Sequence, residues 1–413
     1  MKKFLLLILF FLACIISLNA QWERCQNGTP YCEASSIIAD SNYIYAGFDC
    51  GVWRSSDNGD SWIQKNKGFT NIDSLGGTIT ALAVNGKNIF AGTFYGSIFL
   101  STNNGDTWAL KNKKYVDSLI WGPKNINTIT VNGNDVFFGT NQGVFLTTDN
   151  YDNWIPKNNG LPYDTINSVI WINTIAIKGQ NIFAGMNYKG IYLSTDYGDT
   201  WIPKNNGLTN LDVYALAIKG NNIYAGTWFG GIFLSTDNGD SWKCIALKDS
   251  VVDVIYIKEN NIFISSSWGL NLSTDDGINW TSLNSGLSCL STNSIIINGD
   301  YIFIIDIYCG VLRAKLNDLI IDVKETNQNN ESIIYPNPAY SSVSVKYESS
   351  SYSKLQISIF DLPGNEVLNT SEDCNIGLNE KIIDCHCLET GYYIVRLKQG
   401  ERVEAKPLLI VRN

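Results

Sequence analysis

The chain has 413 residues, of which 45% are hydrophobic, 12% aromatic and 17% charged. This is a globular composition rich in aromatic rings, and 35 glycines beside only two methionines favour a β-protein with many turns. The net charge is −9, the pI is about 4.8 and the sequence contains no basic cluster, which together exclude nucleic acid as an expected partner.

Residues 1–20 have the pattern of a secretory signal peptide. Two lysines precede an apolar run over 4–18, and Ala20 offers a small residue for cleavage before Gln21. An uncleaved membrane anchor is one alternative, although it would need a longer apolar span. Another is lipid attachment at Cys14, where the sequence loosely resembles a lipobox. No later run is long enough to cross a bilayer, so the mature chain is predicted to contain no transmembrane segment.

A motif, Ser/Thr-x-Asp-x-Gly-x-Ser/Thr-Trp, occurs six times along the next part of the chain. Its tryptophans lie 46, 46, 47, 41 and 38 residues apart, at Trp62, Trp108, Trp154, Trp201, Trp242 and Trp280. A repeat of about forty residues built from short strands is the period of a propeller blade. The aspartate position holds Asp57, Asn103, Asp149, Asp196, Asp237 and Asp275, and Tyr151 replaces the glycine of the third copy.

The chemistry of the motif is local. The Asp side chain accepts backbone N–H groups and closes a turn, the Gly supplies a positive φ, and the Trp offers an apolar face to a neighbouring unit. Because this turn recurs in every unit while an active site is normally single, we interpret the acids as structural and predict no metal or other cofactor. The motif resembles the Asp-box, or BNR repeat, of sialidases, sortilin-type receptors, xyloglucanases and a photosystem assembly factor. That resemblance implies a β-propeller and does not separate enzymes from binding proteins.

We predict an all-β fold, with a seven-bladed β-propeller over residues 21–323 followed by a small C-terminal β-sandwich. Each of seven units within 35–318 opens with a short apolar strand and continues through a polar hairpin turn. The seventh unit, 294–318, lacks the motif. We infer that Trp22 begins its missing outer strand, because the sequence there resembles the one that follows the fourth motif. The rival is that 319–323 supplies this strand.

The polar, aperiodic stretch 324–332 is predicted to be a linker, and 333–413 a separate β-sandwich with alternating apolar residues. This last segment resembles the type A C-terminal sorting domain of the type IX secretion system of Bacteroidota. The residues that carry the resemblance are Tyr335, Pro336, Asn337, Pro338, Gly364, Gly391, Tyr392 and Lys406. It implies export by that machinery, followed by removal of the domain and release of the passenger or its attachment to the cell surface. The alternative is a generic binding sandwich.

The loops that join second to third strands, and blade to blade, are predicted to share one rim of the propeller. They are rich in aromatic residues, namely Phe48, Phe94, Tyr95, Trp121, Trp171, Tyr188, Trp228, Phe229, Trp268 and Tyr308. The interblade loops also carry Asp73, Asp117, Asp164, Asp212 and Asp249. Rings beside carboxylates suit sugars, so we predict ligand contact at Tyr95, Trp121, Trp171, Tyr188, Trp228, Trp268 and Tyr308. The alternative is that these rings pack between blades.

These features predict a monomeric, secreted or cell-surface module that binds glycans or surface proteins. A polysaccharide-acting glycoside hydrolase with two interblade carboxylates is the alternative, and a scaffold without a small ligand is a third hypothesis. A typical sialidase is disfavoured, because it needs three convergent arginines and the propeller has only Arg24, Arg54 and Arg313, all near the ring closure.

Ten cysteines without Cys-x-x-Cys spacing and a single histidine make no zinc set, so in an exported protein we expect disulfides. Cys50 and Cys309 occupy matching positions in the first and last units, and we predict a bridge between them. Cys25–Cys32 is a second candidate. In the C-terminal domain Cys374 is predicted to pair with Cys385 or Cys387.

Overall fold

The computed structural model describes residues 22–30, 32–69, 78–112, 125–148, 151, 153–163, 170–287, 289–319, 332–335, 337, 339–349, 353–361, 365–375, 377–399 and 402–412. The predicted signal peptide and all but Ser332 of the predicted linker lie outside these ranges. The chain divides into two compact units after residue 319. Strands make up nearly all regular structure in the described ranges, which confirms the all-β prediction. No helix in these ranges is both long and apolar enough to cross a membrane.

The first unit contains seven four-stranded antiparallel sheets, here called blades 1 to 7. In blades 1 to 6 four consecutive strands pair in chain order. Blade 1 comprises β2 (Ala34–Ala39), β3 (Ile44–Phe48), β4 (Gly51–Ser55) and β5 (Ile63–Gln64). Blade 2 comprises β6 (Ile79–Asn85), β7 (Asn88–Thr93), β8 (Ile98–Ser101) and β9 (Ala109–Leu110). Blade 3 comprises β10 (Ile126–Asn132), β11 (Asp135–Thr140), β12 (Gly143–Thr147) and β13 (Ile155–Pro156).

The next three blades repeat this arrangement. Blade 4 comprises β14 (Ile172–Lys178), β15 (Asn181–Met186), β16 (Gly190–Ser194) and β17 (Ile202–Pro203). Blade 5 comprises β18 (Val213–Lys219), β19 (Asn222–Thr227), β20 (Gly231–Ser235) and β21 (Lys243–Ala246). Blade 6 comprises β22 (Val252–Lys258), β23 (Asn261–Ser266), β24 (Gly269–Ser273) and β25 (Thr281–Ser282).

Blade 7 closes the ring with both ends of the propeller chain. It comprises β26 (Thr292–Asn298), β27 (Tyr301–Asp306), β28 (Gly310–Lys315) and, as its outermost strand, β1 (Glu23–Arg24). Arg24 pairs with Leu312, and the Trp22 indole donates to the Leu283 carbonyl at 3.0 Å. The prediction that the N-terminal segment supplies this strand is confirmed, and it fills the place that 319–323 would have taken. The first strands of the blades contact one another in a closed cycle, β2–β6–β10–β14–β18–β22–β26–β2.

Neighbouring blades approach one another closely at the second strand. A Cβ placed on Gly92 would lie 2.5 Å from Cγ2 of Ile126 in blade 3, so this position requires glycine. Blades 6 and 7 depart from this rule, because the register puts a serine and an isoleucine there. The equivalent residues in blades 1 to 7 are Gly47, Gly92, Gly139, Gly185, Gly226, Ser265 and Ile305.

The motif turns join third to fourth strands. In blade 4 Asp196 Oδ1 accepts the Ser194 hydroxyl at 2.7 Å and the Thr200 amide at 2.8 Å, and Oδ2 accepts the Thr200 hydroxyl at 2.6 Å. The Thr200 hydroxyl and amide lower the pKa of Asp196 to about 2. Asn103 makes the same turn, with its amide nitrogen donating to a threonine hydroxyl at 2.9 Å. Tyr151, in the glycine position, has a φ of 63°.

The same contacts hold the other motif residues that are described. Ser241 in blade 5 bonds Asp237 through its amide at 3.0 Å and also through its hydroxyl. Asp57 and Asp275 likewise each accept the backbone amide four residues further along the chain. Asp149 lies outside the described residues. The motif tryptophans pack on the preceding blade, as in blade 5, where the indole nitrogen of Trp242 donates to a blade 4 carbonyl at 2.8 Å.

The second unit is a sandwich of two antiparallel sheets around one apolar core. One sheet orders β29 (Ile333–Tyr335), β30 (Ser342–Ser349) and β33 (Gly377–Asp384). The other orders β32 (Glu366–Cys374), β31 (Ser353–Asp361), β34 (Gly391–Gln399) and β35 (Arg402–Ile410). Val345, Ile357 and Val395 are fully buried between the sheets.

Several residues of the predicted sorting motif have defined contacts. Asn337 bonds β35 twice, since its Oδ1 accepts the Leu409 amide and its Nδ2 donates to the Pro407 carbonyl, each at 2.9 Å. The Tyr335 hydroxyl donates to Glu380. Tyr392 is exposed on β34, with Gly391 beside it, and Lys406 lies opposite Val395. Pro336, Pro338 and Gly364 lie outside the described residues.

The predicted disulfide pairings are wrong, although disulfides are present. Cys50 pairs with Cys32, and Cys309 pairs with Cys289. Each bridge joins the segment before a first strand to the turn after the second strand of the same blade. These points are adjacent because the two strands are antiparallel neighbours, whereas Cys50 and Cys309 lie in different blades. Cys25 is buried and not bridged.

The cysteines of the second unit are also not bridged, contrary to prediction. Cys374 ends β32 beside the start of β33, whereas Cys385 and Cys387 follow the end of β33. Eight strand residues span about 26 Å, far beyond the roughly 7 Å that a disulfide allows between Cα atoms. The strand order therefore separates residues that are close in the sequence.

Candidate functional site

Exposed aromatic rings occupy the turn after the second strand in four consecutive blades. Tyr188, Trp228, Trp268 and Tyr308, in blades 4 to 7, are 72%, 41%, 69% and 79% exposed. We call these four residues the aromatic arc. Blade 2 also exposes Phe94 and Tyr95 at this turn, but no exposed ring stands there in blades 1 and 3.

The backbone places the interblade loops beside these turns. The Trp228 amide donates to the Asp212 carbonyl at 2.9 Å, and the amide after Met186 donates to the Trp171 carbonyl at 3.1 Å. Trp171 therefore lies at the same rim, and it is exposed. Phe48 is an exception to the predicted aromatic set, because it is buried against Trp53 with ring centroids 5.2 Å apart. Trp121 lies outside the described residues.

The tryptophans of the aromatic arc are fixed by neighbours while remaining exposed. Trp228 meets Phe229 edge to face at 5.1 Å, and its ring lies 5.6 Å from that of Tyr214 on β18. The Trp268 indole nitrogen donates to the Ser250 hydroxyl at 2.9 Å. Rings held in this way lose little conformational freedom when a ligand stacks on them.

Two carboxyl groups near the aromatic arc have unusual environments. Asp212, in the loop before β18, is only 2% exposed, and burial raises its pKa. Asp253, the second residue of β22, is half-buried, and burial raises its pKa to about 6. Burial, and then the charges of Asp212, Tyr188 and Asp253, raise the pKa of Tyr214, so these groups lie within electrostatic reach of one another.

Sequence reasoning named Asp212 but missed Asp253. The signal that could have revealed Asp253 is an acid at the second position of a first strand, where the other blades carry neutral residues. Of the other predicted interblade acids, Asp249 is exposed. Asp73, Asp117 and Asp164 lie outside the described residues.

A cleft of about 780 Å³ opens at the ring closure, between blades 7 and 1. Arg24, Glu33, Asp49 and Tyr308 are among the residues that line it. The Arg24 guanidinium lies 2.8 Å from the Cys309 sulfur. This cleft lies next to the blade 7 end of the aromatic arc, because Tyr308 belongs to both.

The three arginines of the propeller do not converge on one site. Arg54 pairs with Asp106 of the next motif turn at 3.2 Å. Arg313 pairs with Glu23 and Asp60 at the ring closure. The arrangement that a sialidase would use to hold a substrate carboxylate is therefore not found among the described residues.

Comparison with known proteins identifies the second unit. Residues 333–411 match the family described as the secretion system C-terminal sorting domain. No curated protein matches the chain significantly.

Solved structures similar to this chain are propellers of low sequence identity, and at that identity they establish the fold alone. YCF48 bound to D1 peptide is 16% identical with a TM-score of 0.56, over 72% of this chain and 97% of that one. PorZ of Porphyromonas gingivalis, a surface component of the type IX secretion system, is 14% identical with a TM-score of 0.52, over 94% and 60%. The GH74 enzyme of Niastella koreensis is 14% identical with a TM-score of 0.50, over 68% and 43%.

The chain spans less than two thirds of the length of PorZ and of the GH74 enzyme. The fold and the sorting domain nevertheless establish what kind of protein this is. The chain is an exported β-propeller, secreted or held at the cell surface, that carries a C-terminal sorting domain for the type IX secretion machinery.

Proposed function

We propose that the propeller binds glycans and that the aromatic arc is its contact surface. The observation that supports this proposal is the recurrence of exposed rings at one turn in four consecutive blades. Singly exposed rings are common on protein surfaces, but apolar surface that recurs at one rim marks an interaction site. Sugars offer apolar C–H faces that stack on such rings, and hydroxyl groups that the surrounding polar groups can bond.

The experiment is a screen of the full chain against an array of neutral and acidic oligosaccharides, followed by calorimetry on the strongest ligand. Trp228→Ala and Trp268→Ala are each expected to weaken binding at least about tenfold, as for aromatic residues at the centre of an interface. Phe94→Ala is the matched control, because it removes an exposed ring at the same turn of blade 2. Equal losses for all three variants, or no loss at the two tryptophans, would contradict the proposal.

A protein ligand is tested by the same variants. Binding of a surface protein with no oligosaccharide bound would replace the glycan proposal and keep the aromatic arc as the contact surface. The arc would then bury its rings as the hydrophobic centre of a protein interface.

A glycoside hydrolase is the second candidate, and Asp212 and Asp253 favour it. A hydrolase needs two carboxyl groups whose environments differ, one of which keeps its proton near neutral pH. Burial raises the pKa of both groups, and both influence Tyr214. Release of reducing sugar that disappears in Asp253→Asn would support turnover, while tight binding without release would favour the binding module.

A further inference from the structure

The inner strand of every blade is interrupted at its second residue. The register of each first strand with its second strand shifts there, so this residue has no partner and its side chain is re-aimed, as at a β-bulge. The seven bulge residues, in blade order, are Ser35, Thr80, Asn127, Asn173, Tyr214, Asp253 and Asn293.

In blades 1 to 4 the bulge side chain hydrogen-bonds the next blade. Asn127 Nδ2 donates to the Ile172 carbonyl at 2.8 Å, and Asn173 Nδ2 donates to the Val213 carbonyl at 2.9 Å. The hydroxyls of Ser35 and Thr80 donate to the equivalent carbonyls of blades 2 and 3. We call this hydrogen bond the interblade clasp.

Blades 5 to 7 do not make the interblade clasp. Within the described ranges, the side chains of Tyr214, Asp253 and Asn293 form no hydrogen bond. In blade 6 a residue of the second strand makes the equivalent hydrogen bond to the next blade, since the Ser265 hydroxyl donates to the Thr292 carbonyl at 2.8 Å. The ionised carboxylate of Asp253 could not make this hydrogen bond, since a carboxylate has no proton to donate to a carbonyl.

The three bulge residues without this hydrogen bond occupy equivalent positions in three consecutive first strands, at the rim that carries the aromatic arc. Their strands β18, β22 and β26 are neighbours in the inner cycle. The bulge is at the rim end of each strand, because Val252 pairs with Ser266, two residues before Trp268. The Tyr214 ring contacts Trp228, and Asn293 is exposed. Three consecutive first strands therefore carry, at this rim, polar side chains that form no hydrogen bond within the described part of the chain.

We propose that Tyr214, Asp253 and Asn293 form the polar centre of a sugar-binding site, where a hydroxyl-rich residue stacks on the arc and donates to Asp253. This inference rests on the proposed glycan binding and names its central subsite. A half-buried carboxylate without donors gains most from ligand hydroxyls, since they replace the hydration it has lost. The hydroxyl of Tyr214 and the amide of Asn293 can each donate and accept, which suits neighbouring sugar hydroxyls.

The test uses the full chain and replaces one carboxyl oxygen of Asp253 by an amide nitrogen. Asp253→Asn is expected to weaken binding of the strongest oligosaccharide on the array at least about tenfold without lowering the melting temperature. Asn173→Asp is the matched control, the reverse change at the equivalent bulge of blade 4. It removes an interblade clasp, so it should lower the melting temperature and leave affinity within about twofold.

The outcomes separate this inference from the proposed function. Normal binding by Asp253→Asn, with binding lost in Trp228→Ala, would overturn the polar centre and leave the aromatic arc in place. Loss in Asp253→Asn with normal binding by Trp228→Ala and Trp268→Ala would support the polar centre and overturn the arc. A wild-type chain that binds no oligosaccharide would overturn both the polar centre and the proposed glycan binding.

Discussion

Blades 1 to 4 and blades 5 to 7 share one strand order but differ at their inner ends. The first four use each bulge residue to bond the next blade. The last three leave a tyrosine, an aspartate and an asparagine without such bonds, next to exposed rings. In a repeat protein, equivalent residues can thus bond neighbouring blades on one side of the ring and remain accessible to a ligand on the other.

The largest effect is expected where the two sides meet. Trp22 is 5% exposed, and it anchors the outer strand of blade 7, so Trp22→Ala should cost about 3–5 kcal/mol of unfolding free energy. Trp201→Ala, whose indole makes the equivalent bond to blade 3, should cost a similar amount. Chemical denaturation of both variants measures this. A much smaller cost for Trp22→Ala would mean that the ring does not depend on its N-terminal strand.

The next effect concerns the serine that bonds blade 6 to blade 7. Ser265→Gly restores the residue of blades 1 to 5 but removes the hydrogen bond to Thr292, and we expect a loss of about 1–2 kcal/mol. The reverse change, Gly226→Ser, should cost more, because a Cβ there would lie 2.6 Å from the Val252 carbonyl oxygen. Thermal unfolding of the two variants gives the comparison, and a stabilised Gly226→Ser would contradict it.

The third prediction uses the pH dependence of stability. Burial raises the pKa of Asp253 from 3.8 to about 6 in the folded protein. Between these two pH values the unfolded chain has lost this proton and the folded protein still holds it, so folding takes up a proton. The free energy of unfolding therefore falls as the pH rises through this window. Asp253→Asn should be more stable than the wild type at pH 7, on the order of 1–2 kcal/mol after allowance for solvent screening.

Below about pH 4 this difference should vanish, because the carboxyl is then neutral in both states. Denaturation at pH 4, 5, 6 and 7 measures the effect. Asp249→Asn, an exposed acid in the loop before the same strand, is the control and should change stability by less than about 0.5 kcal/mol at every pH. A difference that is equal at pH 4 and pH 7 would contradict the role of burial.

The smallest effect is expected at the exposed ion pairs of the motif turns, which join neighbouring blades on both sides of the ring. Lys204 pairs with Asp240, and Lys219 with Asp276 at 2.6 Å, while the two acids are largely exposed. Lys204→Ala and Lys219→Ala should each change the unfolding free energy by less than about 1 kcal/mol, and less still at high salt. A large, salt-resistant loss at either lysine would show that these pairs hold the blades together.

The repeat, the motif turns and the sorting domain could be predicted from the sequence because they depend on local chemistry. A serine, an acid and a glycine within five residues form the turn of Asp196 without help from the rest of the chain. The ring closure at Trp22 was also predictable, since that segment keeps the pattern of an outer strand. The period of about forty residues then determined the kind of fold.

Only the tertiary structure decided which side chains come together across blades. Cys50 pairs within its own blade, Phe48 turns inward, and Asp253 comes within electrostatic reach of Tyr214 although 39 positions (253 − 214) separate them. These contacts depend on bulges and on the spacing between sheets, which a period in the sequence does not encode. A repeat specifies each blade, but the packing of one blade on the next determines which of its polar groups are used and which remain free.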